Sequence, residues 1–243
     1  MISSANTPTV AANGLSGTRT KGWWLFHLGI SALVDRPVCT ILGGANGSGK
    51  SSIYAALSLV GRFVNADVVA RHLDALHPER VSVTAGRLVL RELDQLLATG
   101  ESFVYETTLS SHQSIGLMRR ARDGGYEVDL AYVSLRDADL HVERVASRVA
   151  AGGHGIPEGT IRRRYETSLE RLRDAIRLAD RTSIVDNSSL AGPSLLMQIT
   201  DGAITLNTLI PMDLLHTRIA SRVGEALGLG VADVFAAAQP GAS

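Results

Sequence analysis

The sequence predicts an α/β fold, a three-layer sandwich built on a mainly parallel sheet. Three observations lead there. Short apolar, β-branched runs recur at 38–42, 62–65, 102–106, 127–134 and 183–186. Helical patterns alternate with them, and strands alternating with helices make parallel sheets covered on both faces. The first run leads straight into Gly44-Ala45-Asn46-Gly47-Ser48-Gly49-Lys50-Ser51, which reads G-x-x-x-x-G-K-S and opens a helix. Strand, glycine loop and helix in that order predict a core like that of the P-loop nucleoside-triphosphate hydrolases.

Residues 1–36 read as an N-terminal tail, partly disordered, because 1–21 are rich in Ser, Thr, Ala, Asn and Gly. The apolar stretch 22–34 suits a short helix or strand packed on the core, or a partner-binding segment. Arg19 and Lys21 before it are faintly like the start of a signal peptide, but His27 interrupts the run and a core strand opens at Val38. Ser52-Ile53-Tyr54-Ala55-Ala56-Leu57 continues the helix behind the loop. A helix follows over 86–99, where Val89, Leu93, Leu96 and Leu97 share one face and Gly100 ends it. Another spans 112–123, stopped by Gly124-Gly125. Arg144 and Arg148, four apart, lie on one face of a further helix. The segment 150–157, Ala-Ala-Gly-Gly-His-Gly-Ile-Pro, is a flexible linker whose proline starts the next helix. That helix runs over 158–179, with Ile161, Tyr165, Leu169, Leu172, Ile176 and Ala179 stepping by three and four. After Asp186-Asn187-Ser188 the runs 195–199 and 203–210 around Asp201-Gly202 suggest a hairpin, and 211–228 a helix, before a frayed tail from Gln239. The predicted organisation is a tail (1–36), a P-loop domain (37–190) and a C-terminal hairpin and helix extension packed on it (191–243).

Composition narrows the function. Lys+Arg and Asp+Glu both number 24, so the formal net charge is zero, which argues against a general nucleic-acid binder. No stretch is long enough to span a membrane. Cys39 is the one cysteine, so there is no internal disulfide and no cysteine cluster for zinc. A reducing, cytoplasmic compartment, where ATP is available, is expected.

The loop glycines let backbone N–H groups point at phosphate oxygens, and the helix N-terminus adds partial positive charge. Lys50 reaches the β- and γ-phosphates and the Ser51 hydroxyl ligates Mg²⁺. Asp67 ends the run Phe63-Val64-Asn65-Ala66-Asp67 at the carboxyl edge of the sheet, where ligands bind. A carboxylate there can take the proton of an attacking hydroxyl, although the position also suits a helix N-cap. Glu106, Thr107 and Thr108 repeat the arrangement after Ser102-Phe103-Val104-Tyr105. Glu106 could hold Mg²⁺ through water or bind a substrate hydroxyl, and the threonines could bond the acceptor; a plain capped strand end is the alternative. Arg144, Arg148, Arg162, Arg163 and Arg164, on two helices joined by the glycine linker, look like a lid that closes over phosphates. The alternative is a solvated basic face paired with Glu158, Glu166 and Glu170. His154 is expected to be a lid contact or solvated, not a metal ligand.

Taken together these segments resemble the zeta toxin family of P-loop kinases, most closely its branch labelled predicted ABC-type ATPases. The matching pieces begin with Gly43 to Ser51, Asn65-Ala66-Asp67, Tyr105-Glu106-Thr107-Thr108-Leu109-Ser110 and Gly125-Tyr126. They continue with Arg144-Val145, Arg148-Val149, Gly152-Gly153-His154-Gly155-Ile156-Pro157-Glu158, Ile161-Arg162-Arg163-Arg164-Tyr165 and Asp186-Asn187-Ser188. The family's usual loop proline is here Ala45, and residues after 190 match no toxin feature. The resemblance implies transfer of a phosphate from ATP or GTP, with Mg²⁺, to a sugar hydroxyl of UDP-N-acetylglucosamine, and an antitoxin that blocks the nucleotide site. It implies nucleotide binding by Gly44, Ala45, Asn46, Gly47, Ser48, Gly49, Lys50, Ser51 and Ser52, with Ser51 on the metal. Lys50, Asp67, Arg148 and Arg164 become the catalytic set; Asp67, Glu106, Thr107 and Thr108 face the acceptor. The alternatives are transfer to another nucleotide, dinucleotide or antibiotic, or an ATP-binding regulator without kinase activity.

Overall fold

The computed structural model describes residues 36–56, 59–153 and 155–237 of the chain. The expectations for the N-terminal tail, for His154 and for the tail from Gln239 fall outside the described residues.

Seven strands form one sheet: β1 (Val38–Gly43), β2 (Arg62–Asn65), β3 (Phe103–Thr107), β4 (Glu127–Ser134), β5 (Arg181–Asp186), β6 (Ser194–Thr200) and β7 (Ala203–Asn207). Their order is β2-β3-β1-β4-β5-β6-β7. The first five are mutually parallel, and β6 and β7 add an antiparallel edge. The helices are α1 (Lys50–Ala56), α2 (Ala66–Leu73), α3 (Ser82–Thr99), α4 (His112–Asp123), α5 (Ala138–Ala150), α6 (Glu158–Leu178), α7 (Leu214–Leu227) and α8 (Val231–Ala236). Among the described residues no helix is long and apolar enough to cross a membrane.

The two faces of the sheet are unequal. On one, Cys39, Ile41, Phe103, Val128, Leu130, Tyr132 and Ile184 meet apolar stripes of α3, α4, α6 and α7 in the main core. On the other, Leu42, Val104, Ala131, Val133 and Val185 form a smaller cluster with Ile53 of α1. β1 is central and buried along its whole length, which suits its unbroken apolar reading. Cys39 is fully buried there, and burial pushes its thiol pKa up, so it is a core residue and not a reactive one.

Two predicted elements begin two or more residues early. β5 begins at Arg181 instead of residue 183, because Arg181 lies opposite Asp129 of β4 and bonds both its carboxylate oxygens, at 3.0 and 2.8 Å. The same guanidinium reaches Glu127 at 2.7 Å, so a charged residue is accommodated inside a strand. α3 starts at Ser82, four residues early, after a 3-10 turn at Pro78–Val81. Its end is as expected: Gly100 is left-handed (φ 68°) and its N–H returns to the Leu96 carbonyl. The short helices α2 and α8 each bury one side chain, Ala70 and Val234, too few to print a periodicity on the sequence.

Candidate active site

The glycine loop joins β1 to α1 at the carboxyl edge of the sheet. Its shape depends on close approach. A Cβ added at Gly44 (φ 143°) would strike the Val133 carbonyl, and one at Gly49 (φ 88°) would strike the Asn187 side-chain amide. Both backbones also lie where L-residues are strained. Asn187, just past β5, donates its Nδ2 to the Ser48 carbonyl at 2.8 Å and its own N–H to Ser134 at 3.0 Å. It therefore braces the loop from below. Among the described residues the N–H groups of Gly47, Gly49, Lys50 and Ser51 meet no backbone acceptor. The Ser48 hydroxyl is buried without a partner. Donors so arranged suit phosphate oxygens.

Lys50 is buried, and its ammonium donates to the Gly44 and Ala45 carbonyls at 2.6 and 3.2 Å. Burial lowers its pKa; Glu106 and Asp67 pull it up, and Arg148 and Arg164 push it down. Groups from α2, β3, α5 and α6 thus lie within electrostatic reach of Lys50 on α1. Ser51 donates to Glu106, its Oγ 3.2 and 3.3 Å from the two carboxylate oxygens. A hydroxyl beside a carboxylate is the hard-oxygen pair that Mg²⁺ takes, with phosphates and water supplying its remaining ligands. The residues present thus fit the ion that the loop implies.

Asp67 is not the helix cap. Asn65 is: its Oδ1 accepts from the N–H groups of Asp67 and Val68 at 2.7 and 3.3 Å. This leaves the Asp67 carboxylate in the first turn of α2, exposed, and close enough to Lys50 and Arg164 to affect both. Thr107 and Thr108 are engaged locally. Thr107 bonds the Ser114 hydroxyl at 3.0 Å and accepts from Leu109 N–H, and Thr108 bonds Ser110 at 2.8 Å.

The five arginines separate into distinct positions. Arg164 donates to the Asn46 side-chain oxygen at 2.8 Å, so α6 touches the loop directly. Burial lowers its pKa, Asp67 opposes this, and Arg163 adds to it. Arg148 is in the last turn of α5, within reach of Lys50. Arg144 donates to the Asn187 carbonyl at 2.8 Å. Arg162 turns outward to Glu158 and Asp139. Arg163 is exposed. The surface-pairing alternative therefore holds for Arg162 with Glu158. It does not extend to Glu166, which pairs with Arg218 of α7.

Two contacts were not legible beforehand. His141 of α5 is fully buried, and its Nδ1 sits 2.7 Å from the Asn46 carbonyl. A carbonyl can only accept, so Nδ1 carries the proton. Burial leads in lowering the His141 pKa to about 4, helped by Lys50 and Arg144. Asn46 is thus held twice, by His141 on its backbone and by Arg164 on its side chain. The brace from Asn187 is the second such contact. Its only sequence signal was the polar Asp186-Asn187-Ser188 after a strand.

Residues 31–191 match the family model described as zeta toxin. The chain belongs to the zeta toxin family. An uncharacterised protein of Haemophilus influenzae is 29% identical over 126 residues, covering 50% of this chain and 88% of that one. Among solved structures, one from the PezAT chromosomal toxin–antitoxin system of Streptococcus pneumoniae superposes with a TM-score of 0.51 at 19% identity, over 72% of this chain and 77% of that one. A complex of AvrRxo1-ORF1 with ORF2 and ATP gives a TM-score of 0.48 at 14% identity, over 88% and 83% of the two chains. Zeta toxin membership and the mainly parallel seven-stranded sheet agree in making this a P-loop kinase fold.

Proposed function

We propose that the protein is a phosphotransferase that moves the γ-phosphate of ATP (or GTP) to a hydroxyl of a small molecule. Its family points to a sugar hydroxyl of UDP-N-acetylglucosamine. The observation that carries the reading is the meeting at the glycine loop of buried Lys50, the Ser51–Glu106 pair at 3.2 Å and Arg164, bonded to Asn46 at 2.8 Å. The exposed Asp67 carboxylate in the first turn of α2 acts on both Lys50 and Arg164, and a site that only binds nucleotide has no need of it.

In this reading the amides of residues 44–52 hold the phosphates. Lys50 leaves its carbonyl partners to bind the β- and γ-phosphates. Ser51 and Glu106 hold Mg²⁺, which when bound neutralises charge on the phosphates. Asp67 accepts the proton of the acceptor hydroxyl as its oxygen attacks the γ-phosphorus. The bond from that phosphorus to the bridging oxygen breaks, and the nucleoside diphosphate leaves. Arg148 and Arg164 stabilise the charge that develops on the transferred group. Glu106, Thr107 and Thr108 line the acceptor side. An antitoxin protein that covers the nucleotide site belongs to the same proposal.

The test is mass spectrometry of the protein with ATP, Mg²⁺ and a panel of nucleotide sugars. UDP-N-acetylglucosamine heavier by one phosphoryl group, lost in Asp67→Ala while ATP still binds, is the expected result. Loss of ATP binding in that variant would make Asp67 structural or a metal ligand. ATP consumption with no phosphorylated sugar would overturn the acceptor.

A further inference from the structure

A cavity of about 460 Å³ opens between α4 and α6, within the usual range for small-molecule sites. It is separate from the glycine loop. α4 and α6 pack on the main-core face of the sheet, whereas α1, which carries Lys50 and Ser51, packs on the other. Arg171, on its wall, is seven residues beyond Arg164 on α6, about 10 Å along the helix axis.

The wall is basic and keeps unused donors. Arg171 donates to the Nδ1 of His112 at 3.0 Å. A guanidinium only donates, so this His112 nitrogen accepts. The Nε of Arg171 is buried with no partner, and a buried N–H left unpaired is destabilising until a ligand satisfies it. Arg119, exposed on the facing helix, makes no ion pair among the described residues. Arg177 is anchored by the Ala226 and Glu225 carbonyls of α7 and keeps its charge. The one carboxylate on the wall, Asp174, is already paired with Arg173 at 2.9 Å. Gly116 borders open space: a Cβ there would meet nothing within 4 Å.

We propose that this groove is a second binding site, for a small molecule bearing phosphate. Guanidinium forks match phosphate oxygens in geometry and charge. Ile115 and Leu178 offer an apolar wall to the rest of such a ligand.

The test titrates inorganic pyrophosphate, in metal-free buffer, by calorimetry into the wild-type protein and three variants. Lys50→Ala weakens the glycine loop. Gly116→Leu fills the cavity, and since Leu is the better helix former it preserves α4. Arg171→Gln removes the guanidinium, with its buried Nε, without adding bulk. The wild type is expected to show two classes of site. Lys50→Ala should remove one, and Gly116→Leu and Arg171→Gln should each weaken the other at least tenfold. A single class of site that Lys50→Ala abolishes would overturn the proposal. So would a second class that neither groove variant disturbs.

Discussion

Asn46→Ala separates a loop that merely contains an asparagine from one that uses it to aim an arginine. The substitution removes the Oδ1 that accepts from Arg164 at 2.8 Å. It leaves the Asn46 carbonyl, and so the His141 contact, in place. A hydrogen bond to a charged group contributes about 1.5–3 kcal/mol. Arg164 is only partly buried, so solvent screening favours the lower part, about 1.5–2 kcal/mol. If that bond holds the guanidinium over the phosphates, its loss appears as ~10- to 30-fold weaker binding of ATP with Mg²⁺. Calorimetry reads this directly, with a thermal melt to show that the fold is intact. The decisive arm is the double variant. Once Arg164→Ala has removed the cation, Asn46→Ala has nothing left to aim and should add little. Full additivity, or an unchanged affinity in Asn46→Ala alone, would refute the reasoning.

Three further outcomes are expected. Lys50→Ala should abolish phosphate transfer, and normal turnover would remove the loop from the chemistry. His141 is held by burial at a pKa of about 4 in the folded protein, against about 6.5 in the unfolded chain. Its contribution to stability is therefore complete above pH 6.5 and is lost as the pH falls from 6.5 towards 4, where only the unfolded chain takes the proton. The loss is about 3 kcal/mol by pH 4; His141→Asn, which keeps a donor for Asn46, should flatten the melting profile across that window relative to wild type. Arg181→Leu strands Asp129 and Glu127, each 13% exposed, without their cation. That should cost about 3–5 kcal/mol and lower the melting temperature by about 6–20 °C.

The parallel core was legible because each central strand carries a short apolar, β-branched stretch between helical patterns. β2 and β4 have the bounds read from sequence, and α4 does too. Helices with long stripes, such as α6, announced themselves. α2 and α8 did not, because each is short and buries one residue. At the site, the loop and the carboxylates after β2 and β3 were visible as residue types in the right place. The sorting of the arginines was not. The i,i+4 spacing already pairs Arg162 with Glu158 on one helix, but only the packing of α6 against the glycine loop brings Arg164 to Asn46. His141 was invisible for the same reason: its Nδ1 bonds a backbone carbonyl 95 residues away.

The brace under the glycine loop comes from far along the chain. Asn187 and Ser48 are 139 residues apart. A ribosome adds about 5–20 residues each second, so the brace is made roughly 7–28 s after the loop it supports. His141 and Arg164 are also made late. A nascent chain thus carries the whole glycine motif long before that motif is held in shape. The braced form of the loop arrives with residue 187, not with the appearance of the residues that spell the motif.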